Sequence, residues 1–197
     1  MLGKTGAVSI ERCEWPGTDE LMVTYHDTEW GVPLHDDGKL FEFMILDAMQ
    51  AGLSWRTVLY KRAEFERAMH GFDVAKISKY RAKDVERLMA NAGIIRNRQK
   101  IEAAIVNARG VLDVQDEFGS LDAYLWQFVG DKPIVHRWKR SGQIPATSKE
   151  ADAMSKALKA RGFKFVGPTI CYAFMQASGM VNDHLIRCFR YDEFTAA

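Results

Sequence analysis

Residues 156–177 read KALKARGFKFVGPTICYAFMQA. The basic run that opens this stretch has apolar residues at helical spacing and ends at Gly162, a residue type common at helix C-termini. Pro168 suits the first turn of a following helix, because its missing N–H would be unpaired there in any case. The stretch therefore predicts a helical hairpin over about residues 151–178, with FKFVG in the turn.

The turn of this hairpin has the properties of a phosphate-binding site. Gly167 lets a ligand approach the backbone closely, and free amides at a helix N-terminus attract phosphate. We therefore predict phosphate contacts near Gly167 and Thr169, assisted by Lys164. This part of the chain carries four basic residues, Lys156, Lys159, Arg161 and Lys164. Such charges suit the backbone of a nucleic acid rather than its base edges, although a solvated basic face would have the same pattern.

Outside the hairpin, apolar residues recur at helical spacing and alternating strand patterns are almost absent, which predicts an all-α fold. One apolar helical stripe begins at Leu40. Ser54 is a predicted N-cap of the next helix. Thr147 and Glu150 have the spacing of a capping box. A last helix is predicted after Gly179, through Cys188.

The composition is that of an ordinary globular protein. The 197 residues are 47% hydrophobic and 27% charged, which excludes a disordered, collagen-like or coiled-coil chain. We predict one globular domain over residues 1–197, built from two helical lobes. The net charge of +1 means that binding to nucleic acid would need a local basic patch. Without a membrane-spanning run or the apolar segment of a signal peptide, we expect a cytoplasmic protein with no membrane partner.

Metal-ligating side chains occur near both ends of the chain. His184 and Cys188 are four residues apart, so they would share one face of a helix. Cys13 and His26 lie near the other end, without the short C-x2-C spacing of zinc fingers. Two thiolates and two imidazoles satisfy a tetrahedral, structural Zn²⁺ site; buried free cysteines with unrelated histidines are the alternative. Cys171 falls in an apolar helix and fits the core.

Long stretches of the sequence resemble one known family. They are RCEW (12–15), YHDTEWGVP (25–33), LFEFMILDAMQAGLSW (40–55), DVERLMANAGIIRNRQKI (84–101) and SKALKARGFKFVGPTICYAFMQASGMVNDH (155–184). On these motifs, the chain is similar to the bacterial 3-methyladenine DNA glycosylase I family of the helix-hairpin-helix superfamily. The resemblance runs from Glu11 to about Tyr191. It implies a helix-hairpin-helix glycosylase fold whose two ends are joined by structural zinc. The implied ligands are Cys13, His26, His184 and Cys188.

The resemblance also implies a pocket for the excised base. In this family, aromatic groups stack on the base, while a carboxylate and a tyrosine hydrogen-bond its edge. By this likeness, Trp55 is assigned to stacking, and Tyr25 and Asp47 are assigned to the base edge. These three are the predicted catalytic residues. Trp15 and Trp30 are further aromatic candidates for contact with the base.

Three neighbouring positions depart from the family pattern. The family usually has Glu where this chain has Asp47, followed by a small residue and Gln where this chain has Ala48 and Met49. A shorter carboxylate reaches less far, so a related glycosylase with a shifted choice of base is an alternative. Asp47 also shares a helical face with apolar residues, where a carboxylate is costly unless something donates to it. This cost favours a pocket position.

The activity implied by the resemblance is the flipping and hydrolytic release of 3-methyladenine from alkylated double-stranded DNA. Residues 51–54 resemble the segment that enters the DNA stack, with Leu53 as the plug. Superfamily relatives often carry a catalytic Asp where this chain has Asn182, so cleavage without that carboxylate is implied. No lysine occupies an evident nucleophile position, so we expect a monofunctional enzyme. Separately, we expect the protein to be a monomer. A catalytically inactive, zinc-stapled DNA-binding module is the alternative from another class.

Overall fold

The computed structural model describes residues 10–195, and its secondary structure is almost entirely helical. The helices are α1 (Glu20–Thr28), α2 (Asp37–Gln50), α3 (Trp55–Ala68), α4 (Val74–Ile77), α5 (Ala82–Ala90), α6 (Arg98–Phe118), α7 (Leu121–Trp126), α8 (Lys149–Ala160) and α9 (Pro168–Ala177). None of these helices is long and apolar enough to span a bilayer. Strands β1 (Ile134–Val135) and β2 (Val181–Asn182) pair in parallel, with Ile134 opposite Val181. The predominantly helical prediction is confirmed, and this short ladder is the addition to it.

Helix α2 lies at the centre of the fold. It contacts α3, α6, α7 and α9, and its ten consecutive residues from Leu40 to Met49 are all buried. A helix buried on every side is expected to be apolar throughout, yet this run includes Glu42 and Asp47. Glu42 accepts a hydrogen bond from Arg62 Nε at 2.6 Å. Asp47 has no such cationic partner among the described residues, which makes it the exceptional acid of this helix.

Side-chain caps explain where two of the helices begin. Ser54 Oγ accepts a hydrogen bond from the backbone N–H three residues later, at 3.2 Å, and caps α3 as predicted. Helix α8 is capped by Ser148 instead of the predicted Thr147. Ser148 Oγ accepts from the N–H of Ala151 at 3.2 Å. The hydroxyl of Thr147 donates to Asp152 at 3.0 Å instead. The predicted capping box of Thr147 and Glu150 is therefore wrong, and the N-cap lies one residue later.

Helices α8 and α9 form the predicted hairpin. Gly162 follows α8 with a φ of +88°, in the left-handed region that glycine adopts most readily. Helix α9 begins at Pro168, as predicted. Asn107 of α6 anchors the turn, because its Nδ2 donates to the carbonyl of Lys164 at 3.0 Å and its Oδ1 accepts from the N–H of Lys164 at 2.8 Å. The turn is thus fixed against α6 as well as between its own helices.

The predicted helix through Cys188 is wrong, because residues 183–191 form bends and turns. A short 3-10 helix, Asp192–Phe194, follows them. Two backbone donors of the 183–191 segment bond to distant parts of the chain. The N–H of Ile186 donates to the carbonyl of Trp138 at 3.0 Å, and the N–H of Phe189 donates to the carbonyl of Glu11 at 2.9 Å. In a helix these groups would bond to carbonyls four residues back. The segment is therefore held by long-range contacts.

Candidate active site and metal centre

A cavity of about 190 Å³ lies among residues of α1, α2, α3, α9 and three loops. It is smaller than the roughly 300–1,000 Å³ pockets of drug-sized ligands, so it restricts an occupant to a small molecule. The structure brings together all five residues predicted for the pocket, Trp15, Tyr25, Trp30, Asp47 and Trp55. The lining also includes five residues that the sequence did not indicate, Gln50, Ile144, Ala173, Gln176 and Ala177.

Four aromatic side chains form a continuous wall of this cavity. The rings of Tyr25 and Trp55 lie 5.2 Å apart, centroid to centroid, and those of Trp15 and Trp30 are also 5.2 Å apart. Trp15 joins the two pairs, since its ring lies 6.2 Å from that of Tyr25. Aromatic walls of this kind favour planar ligands and attract cationic ones to the ring faces.

Three buried polar atoms of the cavity residues have no hydrogen-bond partner within residues 10–195. They are Asp47 Oδ2, Trp15 Nε1 and Trp55 Nε1. Nearly all buried polar groups in folded proteins are paired, and an unpaired one costs about 1–3 kcal/mol. One acceptor and two donors around a single cavity therefore indicate a ligand that carries complementary hydrogen-bonding groups.

Burial raises the pKa of both polar residues predicted to contact the base edge, Asp47 and Tyr25. The Asp47 side chain is 2% exposed, and this desolvation raises its pKa well above the usual range. Burial, followed by the nearby carboxylates of Asp47 and Glu29, raises the pKa of Tyr25. Tyr25 is therefore a neutral phenol at physiological pH. A cationic ligand would lower the pKa of Asp47 again, because opposite charges favour ionisation.

Two glutamines add amide groups that sequence reasoning missed. Gln50 follows Asp47 by three residues on α2, so helical periodicity could have indicated it. Gln176 comes from α9, and no local signal marks it. Its Nε2 donates to Asp183 Oδ2 at 2.8 Å, which fixes the orientation of the amide. Met49, by contrast, is fully buried and is not part of the cavity lining.

The segment after the hairpin supplies no carboxylate to the lining of this cavity. Asn182 Nδ2 donates to the carbonyl of Tyr191 at 3.0 Å, and its Oδ1 accepts from the N–H of His184 at 3.2 Å. Asp183 is buried and accepts side-chain hydrogen bonds from His136, Trp138, Tyr172 and Gln176. Both side chains are thus committed to the fold, and among residues 10–195 Asp47 is the one acid that lines the cavity.

The four predicted metal ligands form one buried cluster, in which all ligand atoms lie within 4.8 Å of one another. Cys188 Sγ lies 3.5 Å from both His26 Nε2 and His184 Nδ1. Cys13 Sγ lies 3.6 Å from His184 Nδ1. Tetrahedral zinc, with bonds of about 2.3 Å to sulfur and about 2.0–2.1 Å to nitrogen, separates these ligand types by about 3.6 Å. The donor set and its spacing therefore fit a tetrahedral metal ion.

Hydrogen bonds orient both imidazoles for metal binding. His184 Nε2 donates to the carbonyl of Trp30 at 3.1 Å, which leaves Nδ1 as the ligand atom. His26 Nδ1 donates to the carboxylate of Asp27 at 2.7 Å, which leaves Nε2. Such outer bonds set the tautomer and angle of metal-binding histidines. Because Trp30 also lines the cavity, the cluster supports one of its walls.

Comparison with known proteins decides the family. The sequence profile for methyladenine glycosylases matches residues 15–191. The chain belongs to the methyladenine glycosylase family. This confirms the family that the motifs indicated.

Individual methyladenine glycosylases are similar to the chain over nearly their whole length. DNA-3-methyladenine glycosylase 1 of Escherichia coli (strain K12) is 50% identical over 182 residues, which are 92% of this chain and 97% of that protein. A crystal structure of 3-methyladenine DNA glycosylase I has a TM-score of 0.89 at 49% identity, covering 91% and 98% of the two chains. A structure that addresses 3-methyladenine recognition by the Staphylococcus aureus enzyme has a TM-score of 0.89 at 34% identity, covering 92% and 97%.

In this member of the methyladenine glycosylase family, the hairpin turn exposes the residues predicted to contact phosphate. Lys164 and Thr169 are exposed. Gly167 has an ordinary φ of −66°, and a Cβ there would meet no described atom within 4 Å. The glycine therefore keeps the turn open to solvent. Arg161 differs from the prediction, because it forms a 2.7 Å salt bridge with Glu117 and is not a free cation of this surface.

Leu53 lies outside the cavity, in the short loop that joins α2 to α3. Its side chain is 43% exposed. Asp47 and Trp55, which precede and follow this loop, both line the cavity. The loop therefore lies beside the cavity and presents an apolar side chain to solvent.

Proposed function

We propose that this chain is a monofunctional DNA glycosylase that releases 3-methyladenine from alkylated double-stranded DNA. The observation that carries the proposal is the aromatic cavity with unpaired polar atoms on Asp47, Trp15 and Trp55. An enzyme that acts on a base in a duplex must extrude the nucleotide, stack it and read its edge. The names of the chain's close relatives support 3-methyladenine as the base.

Each cavity residue has a distinct role in this proposal. Trp55 stacks on the extruded base, and a cationic methylated purine gains a cation–π attraction that neutral adenine lacks. Tyr25 and Asp47 hydrogen-bond the base edge. Trp15 and Trp30 complete the aromatic wall, and the indole N–H of Trp15 is a further donor. The cavity thus selects a small, planar, electron-poor ring.

The chemical step needs little help from an acid. The N3-methylated base is cationic in DNA, which weakens its bond to the sugar. When that C–N bond breaks, its electron pair stays on the base and cancels the charge. Water forms the new bond to the sugar carbon and loses a proton to solvent. Asp47 stabilises the positive charge of the reacting nucleotide. Since no lysine of the described part of the chain lines the cavity, an imine with the enzyme is not expected.

The DNA contacts of the proposal lie on the hairpin turn and on the loop between α2 and α3. Backbone amides near Gly167 and Thr169 at the start of α9, together with Lys164, hold a phosphate. Leu53 enters the base stack and fills the gap that the extruded nucleotide leaves. These contacts are independent of base sequence, so recognition of damage is left to the cavity.

We infer that Zn²⁺ is the metal held by the Cys13, His26, His184 and Cys188 cluster. Four protein ligands complete a tetrahedral coordination shell, so the ion has a structural role and no open catalytic position. The ion would hold the segment around Cys13 to the turns around Cys188. This cross-link keeps Trp30, and with it the cavity wall, in place.

A second candidate is a related glycosylase that prefers another alkylated base. The observation in its favour is Asp47, which lines the cavity where the family usually has the longer Glu. The substitution at Met49 does not add to this argument, because that side chain lies in the core. The catalytically inactive module is disfavoured, because a pure DNA binder has no need for a cavity with unpaired polar atoms.

The test is incubation of the purified protein with duplex DNA that has been treated with a methylating agent. We expect free 3-methyladenine above the level in buffer, with the DNA strands intact until alkali cleaves the abasic sites. Chromatography identifies all released bases, so preferential release of another base would favour the second candidate. Absence of any release above buffer, or direct strand cleavage by the protein, would contradict the proposal.

A further inference from the structure

Lys100 is a buried lysine whose ammonium bonds to another helix. It lies in the first turn of α6 and is 5% exposed. Its Nζ donates to the carbonyl oxygens of Met49 at 2.9 Å and Ala51 at 2.5 Å, where α2 ends. The last carbonyls of a helix have no donors within that helix. The ammonium of Lys100 therefore satisfies carbonyl groups at the C-terminus of α2.

The position of Lys100 is unfavourable within α6 itself. A cation in the first turn of a helix faces the positive end of its dipole, and desolvation lowers the pKa of Lys100. The N-cap residue Asn97 accepts a hydrogen bond from the N–H of Lys100 at 3.1 Å, which fixes the backbone from which the side chain extends. The compensating stabilisation comes from α2, because the ammonium of Lys100 lies at the negative, C-terminal end of that helix dipole.

The carbonyls bound by Lys100 mark the start of the loop over residues 51–54. This loop contains Gly52, with a φ of +76°, and Leu53, which is 43% exposed. Asp47 lies in the last turn of α2, just before it. We propose that Lys100 is a positioning residue that holds this loop in the conformation from which Leu53 enters duplex DNA. The inference rests on the proposed function, since it assigns a support to the wedge of that same reaction.

The physical reason is the cost of inserting a side chain into stacked bases. Unstacking a base step already requires a few kcal/mol. A mobile loop would add the entropy of ordering its own residues at that moment. A loop that is already ordered by Lys100 avoids this second cost. Single-stranded DNA and the free base present no stack to enter, so they should be indifferent to the rigidity of the loop.

Lys100→Met tests the proposal, because it keeps the aliphatic stem and removes the donors. Release of 3-methyladenine from methylated duplex DNA should fall about ten-fold or more, as expected for loss of hydrogen bonds from a charged group. Release from methylated single strands of the same sequence and binding of free 3-methyladenine should stay at the parent level. Lys61→Met is the matched control, because Lys61 Nζ donates to the carbonyls of Ala92 and Gly93 in another loop. Lys61→Met should leave unchanged the ratio of 3-methyladenine release from duplex DNA to release from single strands.

Two further measurements separate this role from general stability and from the proposed function. Amide hydrogen exchange at Leu53 should quicken in Lys100→Met and not in Lys61→Met, whether or not the protein has glycosylase activity. In a double-mutant cycle, Leu53→Ala should slow duplex release in the parent but add little in Lys100→Met. If Lys100→Met does not fold, Lys100→Arg, with its different donor geometry, is measured in the same way.

The outcomes are decisive in both directions. A loss of duplex release that exceeds the loss with single strands, together with faster exchange at Leu53, supports the positioning role. Equal losses with duplex, single strands and free base, or unchanged exchange at Leu53, would overturn it. A parent protein that releases no base while Lys100→Met still loosens the loop would refute the proposed function and keep the structural part of the inference.

Discussion

The ring of Trp55 lies 5.2 Å from that of Tyr25, centroid to centroid, with an interplanar angle of 43°. Tyr25 comes from α1 and Trp55 begins α3, and the two helices contact each other. The tilt means that neither ring is stacked flat on the other. A planar ligand can therefore pack against one ring face without displacing an existing stack.

Removal of the Trp55 ring should weaken binding of the free base. Loss of base stacking costs about 1–3 kcal/mol, so Trp55→Ala should lower affinity for 3-methyladenine roughly ten-fold or more, while Trp55→Phe should lose less. Equilibrium binding of the free base measures the effect. Trp126→Phe is the control, because Trp126 is buried outside the cavity lining. Equal affinity of the parent and Trp55→Ala would remove Trp55 from the stacking role.

Changes at Asp47 should alter recognition of the base edge. Asp47→Asn keeps the shape but replaces an acceptor oxygen with a donor amide, so release of an amino-bearing purine should fall. Asp47→Glu restores the side chain usual in the family and should change base choice or activity. Quantifying each released base from methylated DNA checks both. If both variants behave like the parent, Asp47 does not contact the base.

Asp47 should lower the free energy of unfolding of the ligand-free protein as the pH rises. Burial raises the pKa of Asp47 above its unfolded value of 3.8, so the folded chain retains a proton that the unfolded chain releases. The free energy of unfolding therefore falls as pH rises from 3.8 to the folded pKa. Asp47→Asn should unfold at a higher temperature than the parent at neutral pH, and this difference should shrink as the pH approaches 3.8. Thermal unfolding across pH tests this, and a constant difference would contradict it.

A carboxylate at Gly167 should weaken DNA binding whatever the base sequence. Gly167→Asp places a negative charge beside the bound phosphate, and the slope of log affinity against log salt should become shallower, by about 0.9 for each phosphate that the protein no longer neutralises. Gly142→Asp is the matched control, since a Cβ at either glycine meets no described atom within 4 Å. Titration of undamaged duplex DNA at several salt concentrations gives both quantities. Identical affinities and slopes for Gly167→Asp and the parent would contradict the phosphate-binding role.

The cysteine and histidine cluster should hold one zinc ion per chain. His184→Ala should release the metal and lower the unfolding temperature, because structural zinc can contribute on the order of 10 kcal/mol to folding. Elemental analysis and thermal unfolding of protein purified without chelator measure both effects. His35→Ala should retain the metal, since His35 lies outside the cluster. Parent protein free of metal would refute the site.

Much of this fold could be predicted from local sequence. Ser54 caps α3 where its hydroxyl can reach a free N–H, and Pro168 begins α9 because proline is suited to a first helical turn. These signals act over a few residues, so tertiary contacts rarely override them. The candidate metal ligands were predictable in kind, because Cys and His side chains together offer soft sulfur and nitrogen donors.

The tertiary structure alone decided which distant groups meet. His184 and Cys188 have suitable spacing for a helix, but the N–H of Ile186 bonds to Trp138 and the N–H of Phe189 bonds to Glu11 instead. Gln176 reaches the cavity because of how α9 packs, and Lys100 supports a loop about fifty residues away in sequence. Desolvation and long-range hydrogen bonds have no local signature, because their free energies depend on neighbours that the chain brings together only on folding.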